Sequence, residues 1–360
     1  MAEPDNGVSR PSILDLSFAE IGQVVADWDL PAYRARQIWH ALYQRRSVEP
    51  SSLTELPVDL RHRLGEAFAF RSLHVRDRQV SEDGRATKFL LTTQTGHPVE
   101  AVQMRYDRRH TACISTQSGC GMGCTFCATG QLGFLRNLTP GEIVEQVLWL
   151  MDDRPLTNIV FMGMGEPFHN YEASLDAVNR LTDPEGLRFG ARRITLSTVG
   201  IVPMIRRFTE ERRQVNLAVS LHAATDALRD DLVPINRRYP LAELFEACRD
   251  YVRVTRRRLT FEWALIQNLN DGQDQARALV ERIQGMLCHV NLIPLNPTQG
   301  FAGGAPDPAR AEAFRAALAA AGLSVTLRVR RGIDIQAGCG QLAGRMAADA
   351  PSPGTDSVLG

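Results

Sequence analysis

The stretch Ala112-Cys-Ile-Ser-Thr-Gln-Ser-Gly-Cys-Gly-Met-Gly-Cys-Thr-Phe-Cys-Ala-Thr-Gly130 joins an apolar, strand-like run to three cysteines, Cys120, Cys124 and Cys127, in C-x3-C-x2-C spacing. Three thiolates are one fewer than a structural zinc ion takes, whereas a four-iron cluster held by three cysteines keeps one iron open to a small molecule. A zinc loop completed by a distant cysteine or histidine fits the spacing as well, so the surroundings of the loop have to decide.

Working outward, the run Ala112 to Thr116 is the first of six. Asn158 to Met162, Arg193 to Ser197, Val215 to Ser220, Leu259 to Leu265 and His289 to Leu295 follow, separated by helix-like segments such as Gly141 to Met151, Leu241 to Arg253 and Asp274 to Met286. Apolar strands alternating with amphipathic helices specify a parallel sheet covered by helices. Six units predict an α/β partial (β/α)6 barrel, open at one side, with its site at the carboxyl ends of the strands. The cysteine loop leaves the first strand at that end.

Upstream the pattern changes. Ser17 to Trp28, Ala32 to Gln44 and Val58 to Phe68 read as short helices, and Lys88 to Thr93 and Val99 to Tyr106 as a hairpin around Thr95-Gly96. The expected division is a helical accessory domain over 1–72, a β-hairpin extension over 73–110, a core with a C-terminal cysteine loop over 111–346, and a disordered tail rich in Pro, Gly and Ser over 347–360.

With 44 % hydrophobic and 23 % charged residues and no apolar run of about 20 residues, the 360-residue chain reads as globular and not membrane-spanning. The absence of a secretory signal points to a reducing cytoplasm, where seven cysteines argue for a cofactor over disulfide staples. Net charge is zero, so charge alone makes no case for nucleic acid. Lys88 is the only lysine, and arginines come in clumps at 206–207, 212–213, 237–238, 256–258 and 330–331. Such clumps suit phosphate, although paired arginines on helices are usually solvated faces.

The second core strand ends in Gly163-Met-Gly-Glu-Pro167. A dinucleotide-binding loop would need glycine at position 168, which is phenylalanine, and Glu166 would repel phosphate; a carboxylate with exposed backbone at Gly165 suits an ammonium group. Ser197, Ser220-Leu221-His222 and Asn296 stand where later strands end and form a candidate ligand rim. Cys113 lies in the first strand and Cys339 between two glycines in a mobile segment, whereas Cys248 and Cys288 read as packed core thiols.

The cysteine spacing, with Phe126 before the last cysteine, resembles the radical S-adenosylmethionine (SAM) superfamily. From about Pro31 to Gly344 the chain resembles its RlmN/Cfr family of RNA adenosine methyltransferases. The resemblance rests on Val99-Glu100 ahead of Arg105-Tyr106, Cys113-Ile-Ser-Thr-Gln, the cysteine loop, Phe161 to Pro167, Leu196-Ser-Thr-Val-Gly, Val219-Ser-Leu-His-Ala, Leu292 to Pro297 and Ala337-Gly-Cys-Gly-Gln-Leu-Ala. Gly338 departs from it, where a second alanine is expected.

That resemblance implies a 4Fe-4S cluster on Cys120, Cys124 and Cys127, with SAM held by Gly165, Glu166, Ser197, Ser220, Leu221, His222 and Asn296. It further implies that Cys339 is methylated by one SAM, that a 5′-deoxyadenosyl radical from a second SAM takes hydrogen from the S-methyl group, and that the carbon adds to C2 of adenine. Glu100 would remove the C2 proton, and Cys113 would attack Cys339 to release product as a disulfide forms. The implied partners are 23S rRNA before ribosome assembly is complete, tRNA, and a one-electron reductant such as flavodoxin, acting on a monomer. Methylation at C8 by a Cfr-type enzyme and a zinc-stabilised RNA-binding protein without catalysis are the alternatives.

Overall fold

The computed structural model describes residues 10–151 and 154–344, so the expected disordered tail at 347–360 lies outside the described residues. Three helices come first: α1 (Phe18–Asp27), α2 (Tyr33–Tyr43) and α3 (Val58–Ala67). Ser17 starts α1 with a capping box, its hydroxyl accepting from the Glu20 N–H while the Glu20 carboxylate accepts from the Ser17 N–H. Trp39 and Tyr43 on α2 are buried. Ahead of α1, the carbonyls of Leu14, Asp15 and Leu16 all accept from the buried Arg180 guanidinium, which fastens the N-terminal segment to the core.

An antiparallel meander follows: β1 (Leu73–Val80), β2 (Ala86–Thr93) and β3 (Pro98–Arg105). The hairpin expected from the sequence is therefore three strands. β1 escapes a hydropathy reading because it is an edge strand whose central residues, His74 to Asp77, are mostly exposed and which carries a register shift between Val75 and Asp77. β3 pairs antiparallel with β4 (His110–Cys113), so the extension is continuous with the main sheet.

Around the cysteine loop, β5 (Gln117–Gly119) pairs with β6 (Phe134–Asn137), with α4 (Ala128–Leu132) between them. Then come α5 (Pro140–Leu150), β7 (Asn158–Phe161), α6 (Tyr171–Thr182), β8 (Ile194–Thr198), α7 (Val202–Glu210), β9 (Asn216–Ser220), α8 (Asp226–Leu232), α9 (Leu241–Thr255), β10 (Leu259–Leu265), α10 (Gln273–Ile283), β11 (Cys288–Pro294), α11 (Pro308–Ala320) and β12 (Val325–Leu327). The strand order β1-β2-β3-β4-β7-β8-β9-β10-β11-β12 is parallel from β4 onward and does not close. This is the expected open α/β barrel, with β12 as a seventh parallel strand; three residues are too few to register as an apolar run. β10 is buried on both faces, as a helix-covered parallel strand must be.

Candidate active site

The segment after β4 is held by side chains from two directions. On α5, Gln146 Oε1 accepts the Ser115 N–H at 2.7 Å and its Nε2 donates to the Ser115 carbonyl at 2.9 Å. The Ser115 hydroxyl donates to the Glu100 carbonyl at 2.6 Å and accepts the Met164 N–H at 2.7 Å, joining β3 to the loop after β7. A Cβ at Gly163 would lie 2.6 Å from that hydroxyl, so the approach requires glycine.

The cysteine loop begins at Gly119, whose φ of 72° suits a residue without Cβ. Cys120 and Cys124 are buried and Cys127 is partly buried. Burial pushes Cys120 up to about 12 and Cys124 well above the ordinary thiol range, with Arg229 opposing the rise at Cys124. A metal held by these thiols would have to displace protons from desolvated sulfur. Cys127 and Cys120 also raise Cys124, and Cys127 raises Cys120, so the three thiols are neighbours.

Gly165 has a φ of 96°, and a Cβ there would stand 2.6 Å from Gln117 Cβ. Gln117 Oε1 accepts the Glu166 N–H at 2.9 Å, and its Nε2 donates to Asn137 Oδ1 and His169 Nδ1, each at 2.8 Å. The Glu166 carboxylate accepts the Phe168 N–H at 2.9 Å and the Val199 N–H at 2.8 Å. Burial nonetheless raises it to about 7. Its carboxylate thus braces the loops after β7 and β8.

Ser197 and Ser220, on neighbouring strands, have hydroxyls 3.4 Å apart. His222 takes a φ of 61°, unusual for a side chain with Cβ, and its Nδ1 accepts the Ala264 N–H at 2.9 Å. Burial, then Arg229, lowers it to about 3, so the ring is neutral with a donor N–H at Nε2, edge-on to Phe126 at 4.8 Å. The Asn296 amide donates to the Cys339 carbonyl at 3.0 Å, while its buried Oδ1 has no protein partner. Such an orphaned buried acceptor suits a bound polar ligand.

The C-terminal segment lies directly on the cysteine loop. The Gly340 carbonyl accepts from the Ala128 N–H at 2.8 Å, one residue beyond Cys127, and the Leu342 carbonyl accepts from the Thr129 hydroxyl at 2.6 Å. Ala337 and Leu342 pack with Val102, Cys113 and Met164 in one apolar cluster. Burial pushes Cys113 up to about 12, with Cys339 the next contributor; burial, Cys127 and Glu262 do the same for Cys339. The Cys339 side chain is nonetheless exposed, so a reagent in solution reaches it. Cys113, Cys127 and Cys339 are therefore neighbours.

Residues 114–279 match the Radical SAM superfamily. The chain is 46% identical over 349 residues to the probable dual-specificity RNA methyltransferase RlmN of Chloroflexus aurantiacus, covering 92% of this chain and 93% of that protein. It is 48% identical over 336 residues to dual-specificity RNA methyltransferase RlmN 1 of Myxococcus xanthus, with 92% and 94% covered. The crystal structure of a radical SAM methyltransferase from Sphaerobacter thermophilus superposes with a TM-score of 0.91 at 48% identity, over 93% of this chain and all of the other. The chain belongs to the RlmN family. RlmN-family membership makes it a radical SAM RNA methyltransferase that uses a 4Fe-4S cluster and SAM. The donor set fits both: three thiols on a glycine-bearing loop for the cluster, and the orphaned Asn296 acceptor with the Ser197 and Ser220 hydroxyls for SAM.

Among the residues expected to hold SAM in this RlmN-family chain, Leu221 stands apart. Its side chain is in the core, its N–H donates to the Glu262 carbonyl at 2.9 Å, and its carbonyl accepts from Arg229 Nε at 3.0 Å. Glu166 likewise has both carboxylate oxygens engaged by backbone N–H groups. At Gly338, a Cβ would stand 2.6 Å from Asn296 Nδ2, so the alanine expected there would displace the amide that holds Cys339. Cys248 and Cys288 are buried in the main core, as read.

Three residues the sequence reading passed over complete the site. Arg229 on α8, fully buried, donates to the carbonyls of Val199, Ser220 and Leu221 and to Asn236 Oδ1. Gln117 ties the cysteine loop to Glu166. Glu262 on β10 sits in register with Ser220 and Asn291, and its Oε1 accepts from Asn291 Nδ2 at 3.1 Å. Nothing in a single sequence marks an arginine in a seven-residue helix as the brace of two strand ends. Of the arginine clumps, Arg206, Arg207, Arg213 and Arg331 are in ion pairs with carboxylates, which is what a solvated face looks like. No helix among the described residues is long and apolar enough to cross a membrane.

Proposed function

We propose that this RlmN-family enzyme methylates C2 of one adenosine in 23S rRNA, at the peptidyl-transferase centre, and of the adenosine 3′ to the anticodon in tRNAs. The observation that carries the proposal is that the segment bearing Cys339, bonded to the residues just after Cys127, packs through Ala337 and Leu342 against Cys113 on β4. Two thiols beside a cluster loop make sense together if one carries a carbon to the substrate and the other releases it.

C2 of adenine is electron-poor and bears hydrogen, so polar displacement on SAM is closed to it. When bound, the cluster and SAM supply a transferable methyl group and hydrogen-atom abstraction. Cys120, Cys124 and Cys127 hold the cluster. Ser197, Ser220, His222 Nε2–H and Asn296 Oδ1 orient SAM, with Gly165 and Glu166 shaping the loop around it. Cys339 sulfur gains the methyl group and loses its thiol proton. After hydrogen loss its carbon bonds to C2; the radical adduct passes one electron to an acceptor, a part the oxidised 4Fe-4S cluster would serve, and Glu100 takes the C2 proton. Cys113 sulfur then attacks Cys339 sulfur, the carbon–sulfur bond breaks with its electron pair on carbon, and that carbon takes a proton to become the methyl group. The resulting disulfide is reopened by a two-electron thiol reductant of the cytoplasm.

RNA is held by its backbone and shape, with the helices at 10–72 and the arginine clumps as contact surfaces and the target base unstacked into the barrel mouth. The substrate is 23S rRNA before ribosome assembly is complete, the electron donor a flavodoxin-type protein, and the enzyme a cytoplasmic monomer. The test is anaerobic reconstitution with iron and sulfide, then SAM carrying a deuterated methyl group, reductant, and unmodified 23S rRNA fragment or tRNA. Digested nucleosides are read by mass spectrometry. Labelled 2-methyladenosine from both RNAs is expected, and label at C8 would move the enzyme to Cfr-type chemistry. Cys113→Ala should accumulate a covalent RNA adduct, and Cys339→Ala should bind SAM without methylating RNA; normal turnover by Cys113→Ala would sink its releasing role.

A further inference from the structure

Glu100 on β3 is buried, and its carboxylate has three donors around it. Lys88 Nζ on β2 lies 3.3 Å from Oε1, with only 8% of the lysine side chain exposed. Oε2 accepts the Ala343 N–H at 2.8 Å and the Gly344 N–H at 3.2 Å. Opposite Glu100 in the antiparallel ladder stands Leu90, which places Lys88 on the diagonal of the same face, within reach of a long side chain. The C-terminal segment passes close over β3: a Cβ at Gly344 would stand 2.9 Å from Pro98 Cγ. Lys88 is the only lysine among 41 lysines and arginines. In a chain that fills every other cationic position with arginine, the exception sits where a compact ammonium faces one carboxylate oxygen and a planar guanidinium fork would not be interchangeable with it.

We propose that Lys88 is a positioning residue that holds the Glu100 carboxylate as a clasp on the Cys339-bearing segment, releasing Glu100 to the substrate only when that segment lifts. An oxygen that faces two backbone N–H groups cannot also face the C–H of an incoming base. Lifting residues 343–344 removes both donors at once, while Lys88 stays, because β2 and β3 remain paired. The same lift is the movement that carries Cys339 from its resting contact with the cysteine loop toward adenine. Thiol delivery and proton removal are thereby coupled, and the base is uncovered only after the carbon carrier has moved. The inference rests on Glu100 being the base, and its test is arranged so that the two can fail separately.

Hydrogen exchange at the Ala343 and Gly344 amides, and alkylation of Cys339 by iodoacetamide, are measured on the reconstituted full-length enzyme without RNA. Glu100→Gln turns charge-assisted bonds into neutral ones, so exchange at both amides and Cys339 alkylation should rise about ten-fold. Lys88→Met should lower kcat for RNA methylation at least ten-fold with the RNA KM within two-fold, and Lys88→Arg should recover part of it. Wild-type SAM binding and unchanged exchange in α9 show that each variant is folded, and the conservative Lys88→Arg and Glu100→Gln keep the test open if Lys88→Met does not fold. Wild-type exchange at 343–344 in Glu100→Gln, or a Lys88→Met effect confined to KM, overturns the clasp. Wild-type formation of 2-methyladenosine by Glu100→Gln would remove the base role and with it the release step. Lost activity with unchanged exchange would remove the clasp alone.

Discussion

Replacing Arg229 with methionine tests what holds the rim proposed to bind SAM together. The guanidinium is fully buried and donates to four acceptors: Leu221 and Asn236 at 3.0 Å, Val199 at 2.6 Å and Ser220 at 3.2 Å. Burial lowers it to about 10, with Cys124 the largest opposing influence, so it is a cation at neutral pH. Hydrogen bonds to a charged group contribute about 1.5–3 kcal/mol each, but they are not additive and the guanidinium gives up hydration to make them. Removing one partner of a buried charged network costs about 3–5 kcal/mol, and Arg229→Met is expected to cost about 4 kcal/mol. Arg229→Lys keeps the charge but cannot span the acceptors and should cost about 2 kcal/mol. Urea unfolding of the apo-protein, followed by fluorescence of the buried Trp39 and Trp263, reads this as a lower midpoint at unchanged slope. Calorimetry on the reconstituted protein should show SAM bound at least ten-fold more weakly, because Ser220 and the turn after β8 lose their brace. A stability loss below about 1 kcal/mol together with unchanged SAM affinity would refute the reasoning.

Three further outcomes are expected. Glu145, whose Oε2 accepts the Ser72 and Leu73 N–H groups, is raised by burial to about 7, so the folded state holds a proton that the unfolded state releases nearer 4.5; the stability this contributes is complete below that value and is lost as pH rises through about 7. Glu145→Gln mimics the protonated acid, so it should match wild type near pH 4 and exceed it by roughly 3 kcal/mol at pH 8, and denaturation curves that stay parallel across pH would contradict this. Gly165→Ala drives a methyl group into Gln117 from a left-handed backbone, so it should cost about 2 kcal/mol and weaken SAM binding at least ten-fold, read by the same two assays. RNA affinity should fall steeply between low and moderate salt while SAM affinity barely moves, and a flat RNA titration would take the arginines out of recognition.

What could be read in advance was local. The three cysteines carry their meaning in an eight-residue window, and strands such as Leu259 to Leu265 announce themselves because burial on both faces demands continuous apolar residues. Ser17 with Glu20, and Thr139 with Glu142, mark helix starts because a capping box closes within one turn. β1 was missed because an edge strand can stay polar, and β12 because three residues carry no period. At Leu221, strand-end position says nothing about which way a backbone group is already bonded.

The sequence by itself determined the donor set, the alternation of strands and helices, and hence an open barrel with a cysteine-bearing loop at the carboxyl end of its first parallel strand. Only the tertiary structure decided which chemically similar groups meet. Cys113 packs with Ala337 and Leu342, which flank Cys339 in the chain, while Cys248 and Cys288 are shut in the core, and Lys88 finds Glu100 and, through it, Ala343. The physical reason is range: caps, turns and burial periods act within a few residues. The meeting of distant side chains depends on strand order and on a closing segment held by bonds such as Ala128 N–H to the Gly340 carbonyl, which no spacing in the chain encodes.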